Sequence, residues 1–520
     1  MGSGKIDCNI GSKICGKSFI YFILLAGIGS IWLLLHSLST TPLVDGYYGF
    51  DVIMFRVFGE GWSRGMIPYR DLFDHKGPVF HLFYMLGYRI SDSKWSMFII
   101  QCVIFSITLG SFYKIARLFV REKLAFIFVL MTLLVMNRCL DWGGMTEEFS
   151  LPFLCVSLYF QLLWFKKCQE AQRAGKKICR HPWQWAFIYG VSFMCIAFIR
   201  LNNAFALCFF VLVIAIRLAV NSEYRNLLQN AGGFLLGMLL VFLPVSIYFI
   251  ANHAFYDMIY SVFLFNLKYM ELTAQTYSIS QWVYVLVYLL PLLILFAVSI
   301  LYGFRCDRWL GTACALCCVF SFRLLTTGSI LAHYYVLCIP YFPIALGMFK
   351  EIISIKNRLF TERVLAWGIL LVILVFCVIS VYASVRHYER FAAIRDHDTT
   401  AEFYESARRI SEEIPPDERD RVMGYNFSCV DASWYLVTDI MPCYRYFGLT
   451  EWFAKIDPAI GEENASFLKS GRAKWVVTMR GEFEDEAIKA ILADKYYLYK
   501  TEHLDTSDRD IDLYRLKQPG

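Results

Sequence analysis

The sequence predicts a mainly α, polytopic membrane protein: a transmembrane helical bundle of about 11 spans, closed by a small soluble α/β domain. Three observations carry this reading. Hydrophobic residues make up 58% of the 520-residue chain and charged ones only 18%. Apolar runs of about 20 residues, the length that crosses a hydrocarbon core, recur through its first three quarters. The last quarter then changes character: residues 387–520 hold 18 Lys and Arg against 26 Asp and Glu, a net −8, so the +6 of the whole chain leaves +14 for residues 1–386. That acidic end offers neither a basic tail nor a basic groove, which argues against a nucleic-acid partner.

The elements follow in order. Residues 1–17, with Lys5, Lys13 and Lys17, read as a cytoplasmic N-terminus; the first span, Ser18 to Leu38, is followed by no small-residue cleavage site and is retained. Further spans are expected at about 95–117, 122–138, 149–166, 184–200, 204–220, 231–252, 281–303, 309–325, 330–349 and 364–386. Alternate connections carry the basic residues: Arg117, Arg121 and Lys123, then Lys166 through Arg180, Arg217 and Arg225, Arg305 and Arg308, and Lys350 through Arg363. Cytoplasmic loops have this bias, and an odd number of spans then puts the C-terminus outside the cell membrane.

Between the first two spans lies a long polar outer loop, residues 39–94. Its apolar stretch Val79 to Ile90 is too short to cross and ends at Arg89, which predicts an interfacial or re-entrant helix. Residues 18–386 therefore form a membrane domain and 387–520 an extracytoplasmic one. In the latter a charged helix follows Thr399, strands are expected near Val422–Tyr425 and Lys474–Met479, a helix over Asp485–Asp494, and a strand pair at Tyr496–Tyr499 and Asp512–Leu516.

Acids gather at the outer face. Asp45, Asp51, Glu60, Asp71, Asp74 and Asp92 lie in the first outer loop, and Asp141, Glu147 and Glu148 in the second. Any outer loop must be polar, which accounts for acids alone. The first loop also holds Arg56, Arg64, Arg70, His75 and Lys76, however, and a mixed cluster at a membrane edge suits phosphate binding coupled to deprotonation of an acceptor. The longest inner connection, about Lys166 to Pro182, is too small for a nucleotide-binding domain, which favours a lipid-linked donor.

Several short motifs, in fixed order, carry a resemblance. Asp51-Val-Ile-Met-Phe55, the glycine steps Gly59 and Gly65, Pro68-Tyr-Arg-Asp-Leu-Phe-Asp-His-Lys-Gly-Pro78, Gly143-Gly-Met-Thr-Glu-Glu-Phe149, Arg200-Leu-Asn-Asn203 and His333-Tyr-Tyr335 before Pro340 resemble the bacterial membrane-embedded GT-C glycosyltransferases. These are relatives of protein O-mannosyltransferases and of the lipid A aminoarabinose and galacturonic acid transferases. The similarity covers about residues 18–390. It implies a GT-C type bundle, a polyprenyl-phosphate-linked sugar donor, a lipid, glycan or protein acceptor, and an Asp of the first outer loop as catalytic base.

Asp51 matches that Asp, with Asp45 as its rival. A phosphate leaves without being protonated, so one carboxylate that takes the acceptor's hydroxyl proton suffices where glycoside hydrolases need two. Lys76, Arg70, Arg200, Arg323 and His333 are the candidates for the donor phosphate. Snorkelling toward headgroups is the competing account of Arg323, and simple packing that of His333. Glu147 and Glu148 read either as acids of a capped helix start behind Thr146, or as an acceptor or divalent-cation site facing Asp51.

Two other classes compete with the enzyme. A lipid-linked glycan flippase should show ionisable residues near mid-span and broken helices in paired halves; a non-catalytic glycan- or lipid-binding module should show dispersed acids. Other patterns are weaker. Cys314-Ala-Leu-Cys317 lies mid-span, where thiols act as small hydrophobes. Asp508-Arg-Asp-Ile-Asp512 spans an expected hairpin turn. Cys429 and Cys443 can pair only in an oxidising compartment.

Overall fold

Hydrocarbon leaves backbone polar groups no partner but one another, so each apolar run must close its own hydrogen bonds as a helix. The computed structural model describes residues 8–137, 139–175, 180–273, 278–325, 332–354, 360–396 and 400–517. Its first half comprises α1 (Cys8–His36), α2 (Phe50–Ser63), α3 (Pro78–Ile90), α4 (Lys94–Arg117), α5 (Glu122–Met136), α6 (Thr146–Arg173), α7 (Trp183–Arg200), α8 (Phe205–Val220) and α9 (Tyr224–Ala251). There follow α10 (Phe255–Ile259), a π-helical turn (Tyr260–Leu264), α11 (Phe265–Thr273), α12 (Ile279–Cys306), α13 (Arg308–Leu325), a 3-10 segment (Ala332–Tyr341), α14 (Phe342–Ser354) and α15 (Phe360–Asp396).

A helical segment lies at each expected span. By length and composition, Ser18–His36, Lys94–Arg117, Thr146–Arg173, Trp183–Val220 and Tyr224–Ala251 are each able to cross a membrane. The 330–349 stretch begins outside the described residues and continues as the 3-10 segment, with Pro340 inside it, before α14. The last helix, α15, runs ten residues beyond the expected boundary at 386.

The connection 39–94 departs from expectation in one respect: it contains two helices. The short amphipathic helix is α3, as its length requires. The other, α2, arises from the run that opens with Asp51. Its Ile53, Met54, Val57 and Phe58 enter one core with Phe427, Trp434, Tyr435 and Phe447 of the C-terminal domain. Val52 and Phe55 turn the opposite way, onto Phe80 and Tyr84 of α3 and Phe149 of α6. Buried on both sides, α2 is the joint between membrane bundle and C-terminal domain. Its buried Arg56 donates from Nη2 to the Ser39 carbonyl at 2.7 Å, while its Nε finds no partner among the described residues.

The C-terminal domain adds α16 (Ala401–Glu412), β1 (Val422–Gly424), α17 (Ser433–Thr438), α18 (Thr450–Ile456), α19 (Pro458–Lys469), β2 (Trp475–Met479), α20 (Glu486–Lys495), β3 (Tyr496–Leu504) and β4 (Arg509–Leu516). The sheet order is β1-β2-β4-β3, with β1 parallel to β2 and the other pairs antiparallel. Because side chains alternate along a strand, Trp475 and Val477 pack with Ile410 of α16 while Val476 packs with Ile488 of α20. The Asp508–Asp512 run occupies the β3–β4 hairpin; Asp512 accepts from Arg480 at 2.6 Å and Thr501 at 2.7 Å, a structural role. Cys429 and Cys443 form no disulfide.

Candidate active site

Asp51 stands in the first turn of α2, half-buried, where the partial positive charge of a helix N-terminus favours a carboxylate. The Cys429 thiol, 378 positions away in the C-terminal domain, donates to its Oδ1 at 3.9 Å. The C-terminal domain therefore touches the first candidate directly.

The next group comes from the turn Asp74–Gly77, which a glycine seats. Gly77 donates its N–H to the Ile199 carbonyl at 3.0 Å, and a Cβ there would lie 2.1 Å from the Phe198 oxygen. Only glycine allows so close an approach, and it brings the turn to the end of α7, beside Arg200. Within the turn, the buried Asp74 accepts the Lys76 N–H at 3.0 Å and lies 3.5 Å from His81 Nε2. Burial raises its carboxyl to about 6 against the pull of Lys76, and the charge of Asp51 adds to the rise. Lys76, only 5% exposed, places Nζ 2.5 Å from His75 Nε2. Burial first, then Lys76 and Arg200, hold His75 well below its ordinary value, so its ring is the neutral acceptor of the Lys76 ammonium.

Arg200 closes α7. Its Nη1 donates to Glu147 Oε1 at 2.9 Å and its Nη2 to the Tyr334 hydroxyl at 3.0 Å, and its guanidinium lies 4.8 Å from the Tyr334 ring centre. Glu147 in turn accepts from Thr146 at 2.8 Å, and the helix start is Met145 without a side-chain cap. The Thr146 hydroxyl thus serves the carboxylate and not the helix end. His333 is buried, 3.6 Å from Asp141 through Nδ1 and edge-on to Tyr334. Burial first, then Tyr334 and Asp51, raise the Tyr269 hydroxyl of α11 above its ordinary value against the pull of Arg200.

Other candidates lie apart from this cluster. Glu148 is buried between Gln101 Nε2 at 2.7 Å and the Gly144 N–H at 2.9 Å, tying α6 to α4. Asp45 is exposed, and its main-chain oxygen receives Lys94 Nζ at 2.8 Å. Arg70 is exposed and forked on Asp71 at 2.8 and 2.9 Å. The Arg323 side chain lies outside the described residues. Among the described residues no three His, Cys, Asp or Glu side chains gather to hold a metal ion.

The sequence reading names Cys429 only as a possible disulfide partner, counts Asp74 among the first-loop acids without its burial, and does not single out Tyr269; Asp74 lies within the Pro68–Pro78 motif, whereas nothing local marks Cys429 as a neighbour of Asp51.

The fold is similar to that of ArnT from Cupriavidus metallidurans in the apo state, with TM-score 0.55 and 11% identity over 96% of this chain and 98% of that one. It is also similar to the archaeal oligosaccharyltransferase AglB from Archaeoglobus fulgidus, solved with an inhibitory peptide and a dolichol-phosphate, with TM-score 0.51 and 15% identity over 96% and 74%. The chain has the GT-C membrane fold. Residues 57–364 match the competence-induced protein Ccs4 N-terminal domain, and the chain belongs to that family. No curated protein matches it significantly by sequence.

Proposed function

We propose that this protein is an inverting glycosyltransferase that moves a sugar from a polyprenyl-phosphate donor to a lipid, cell-envelope glycan or protein acceptor at the outer face of the cell membrane. The observation that carries the reading is a single cluster: the charge of the half-buried Asp51 acts on Asp74, in the turn that holds Lys76 and that Gly77 seats at the Arg200 end of α7. AglB was solved with a dolichol-phosphate, a lipid phosphate of the kind proposed here as the leaving group.

In this reaction Asp51 takes the acceptor's hydroxyl proton. The acceptor oxygen bonds to the anomeric carbon as the bond from that carbon to the phosphate oxygen breaks, from the opposite side. Polyprenyl phosphate leaves with the electron pair and its charge, and the proton stays on Asp51. Arg200, oriented by Glu147 and Tyr334, offers the planar donor fork that suits a phosphate, and Lys76 a compact charge. Lys76 is buried and Arg200 open on one side only, which strengthens their pull on the developing charge. His333 borders Arg200 through Tyr334 and belongs to the donor side of the same site. Arg70, apart from this cluster and forked on Asp71, and Arg323 are the remaining candidate phosphate cations, and Glu148 holds the α4–α6 frame.

Mass spectrometry of lipids co-purified with the protein tests this. A polyprenyl-phosphate sugar, lost in Arg200→Ala preparations, is expected. Recovery of the same bulk phospholipids from both proteins, with no phosphate-linked sugar lipid, would overturn the proposal.

A further inference from the structure

We propose that Trp452 and Tyr269 form an aromatic platform for the pyranose ring of the donor sugar, so that a residue of the C-terminal domain sets donor specificity. The inference rests on the function proposed above.

Three rings from three parts of the chain converge beside the cations. Trp452 of α18 and Tyr269 of α11 have centroids 5.3 Å apart at 62°. His75, from the turn that carries Lys76, lies 5.7 Å from Tyr269 and 6.4 Å from Trp452. Deeper neighbours complete a core: Phe265 and Phe453 are buried with Phe73. Trp452 and Tyr269 pack only against its margin and remain partly exposed. Large aromatic surface left partly open next to buried charge is what a ligand site offers: apolar faces for contact area and a few polar groups for orientation.

The backbone is shaped to deliver Tyr269. The π-helical turn Tyr260–Leu264 interrupts the segment just before it, a feature that often accompanies functional sites. Asn266 then donates to the His75 carbonyl at 2.8 Å, and Lys268 pairs with Asp457 at 2.6 Å. Residues 266 and 268 are thereby pinned to the Asp74–Gly77 turn and to the C-terminal domain, with Tyr269 next along the helix.

The class of ligand follows from ring chemistry and position. A pyranose exposes a face of C–H groups polarised by neighbouring oxygens, complementary to the negative face of an aromatic ring. Tyr269 lies 5.7 Å from His75, whose Nε2 meets the donor-side Lys76 Nζ at 2.5 Å. In a displacement with inversion, the group between leaving phosphate and base is the donor's own sugar.

The test uses the full-length protein in nanodiscs and two kinds of probe: sugar-free polyprenyl phosphate, and a panel of polyprenyl-phosphate hexoses and pentoses. The wild type should bind at least one sugar-bearing lipid about tenfold more tightly than polyprenyl phosphate. Trp452→Ala should abolish that preference, leave affinity for polyprenyl phosphate within about twofold, and keep the melting temperature; Trp452→Phe should restore most of the preference. A Trp452→Ala protein that keeps the full preference overturns the platform alone. Equal loss for both probes also overturns it, because that marks a packing role. A wild type that binds neither probe removes the donor reading and the platform together, and one that binds both equally removes the platform.

Discussion

Arg200 donates to Glu147 across 2.9 Å, and the pair is asymmetrically buried: the carboxylate side chain is 1% exposed, the guanidinium 21%. A carboxylate so enclosed needs its cation, whereas the open side of the guanidinium leaves donors for a second anion. Arg200→Ala should therefore cost roughly 3–5 kcal/mol, the usual result of stranding one partner of a buried pair, and abolish donor use. Adding Glu147→Ala should return much of the stability and none of the activity. Thermal melts beside a transfer assay separate the two, and recovery of activity in the double variant would refute the donor role.

Asp51→Asn should leave the protein folded and lower turnover by at least about a hundredfold, since a positioned base supplies that much. Asp45→Asn should cost far less, because its side chain is exposed. Single-turnover rates with both variants decide between the two residues. A dead Asp45→Asn beside an active Asp51→Asn would move the base.

Much of this was legible in the sequence, for physical reasons. Spans announce themselves because length and hydropathy suffice in hydrocarbon, and the strands at Val422 and Trp475 because short apolar runs between turn residues have few other uses. The α2 helix was not legible. Arg56 and Glu60 in its middle and glycines at 59 and 61 look like loop, and become tolerable only once Tyr84 of α3 packs on Gly59, Leu72 on Gly61, and the Ser39 carbonyl takes Arg56. Asp51 and Arg200 could be named from motifs. That Glu147 faces Arg200 while Glu148 faces Gln101 depends on helix rotation, which adjacent positions in a sequence do not reveal.

Acidity should stabilise this region. Glu60 on α2 is 6% exposed, and burial lifts its carboxyl from an ordinary 4.5 to about 7 against the pull of Arg64. Between those values the folded state binds more protons than the unfolded one, so stability falls with rising pH. The penalty is absent below about pH 4.5 and complete above about pH 7; Asp74 adds one of the same sign between 3.8 and about 6. Glu60→Gln should flatten the decline in melting temperature from pH 5 to 7.5, removing at most about 3 kcal/mol. A Glu60→Gln profile parallel to the wild type would contradict this.

The proposed topology has the N-terminus in the cytoplasm and the C-terminal domain outside. Alkaline phosphatase fused after residue 520 should be active, and a cytoplasmic reporter at the same point silent. The opposite pattern would place Asp51, joined to that domain through Cys429, on the wrong side for an outward-facing site.

Gly77→Ala should be among the most damaging single-methyl additions in the chain. The new Cβ would meet backbone, the Phe198 carbonyl at 2.1 Å, and a main-chain atom of a packed helix cannot swing aside as a side chain can. The turn must lift from α7, breaking the Gly77 N–H bond to Ile199 and carrying Lys76 and His75 away from Arg200. A cost of about 1–3 kcal/mol is expected from overpacking. Activity should fall further than stability, because an error of about 1 Å in a charged site can cost about a hundredfold in rate. Gly27→Ala is the control: nothing lies within 4 Å of its added methyl, and it should be neutral. Melting temperature and transfer rate measured on both variants decide the matter, and a Gly77→Ala protein with normal turnover would show that the turn does not position the donor-side cations.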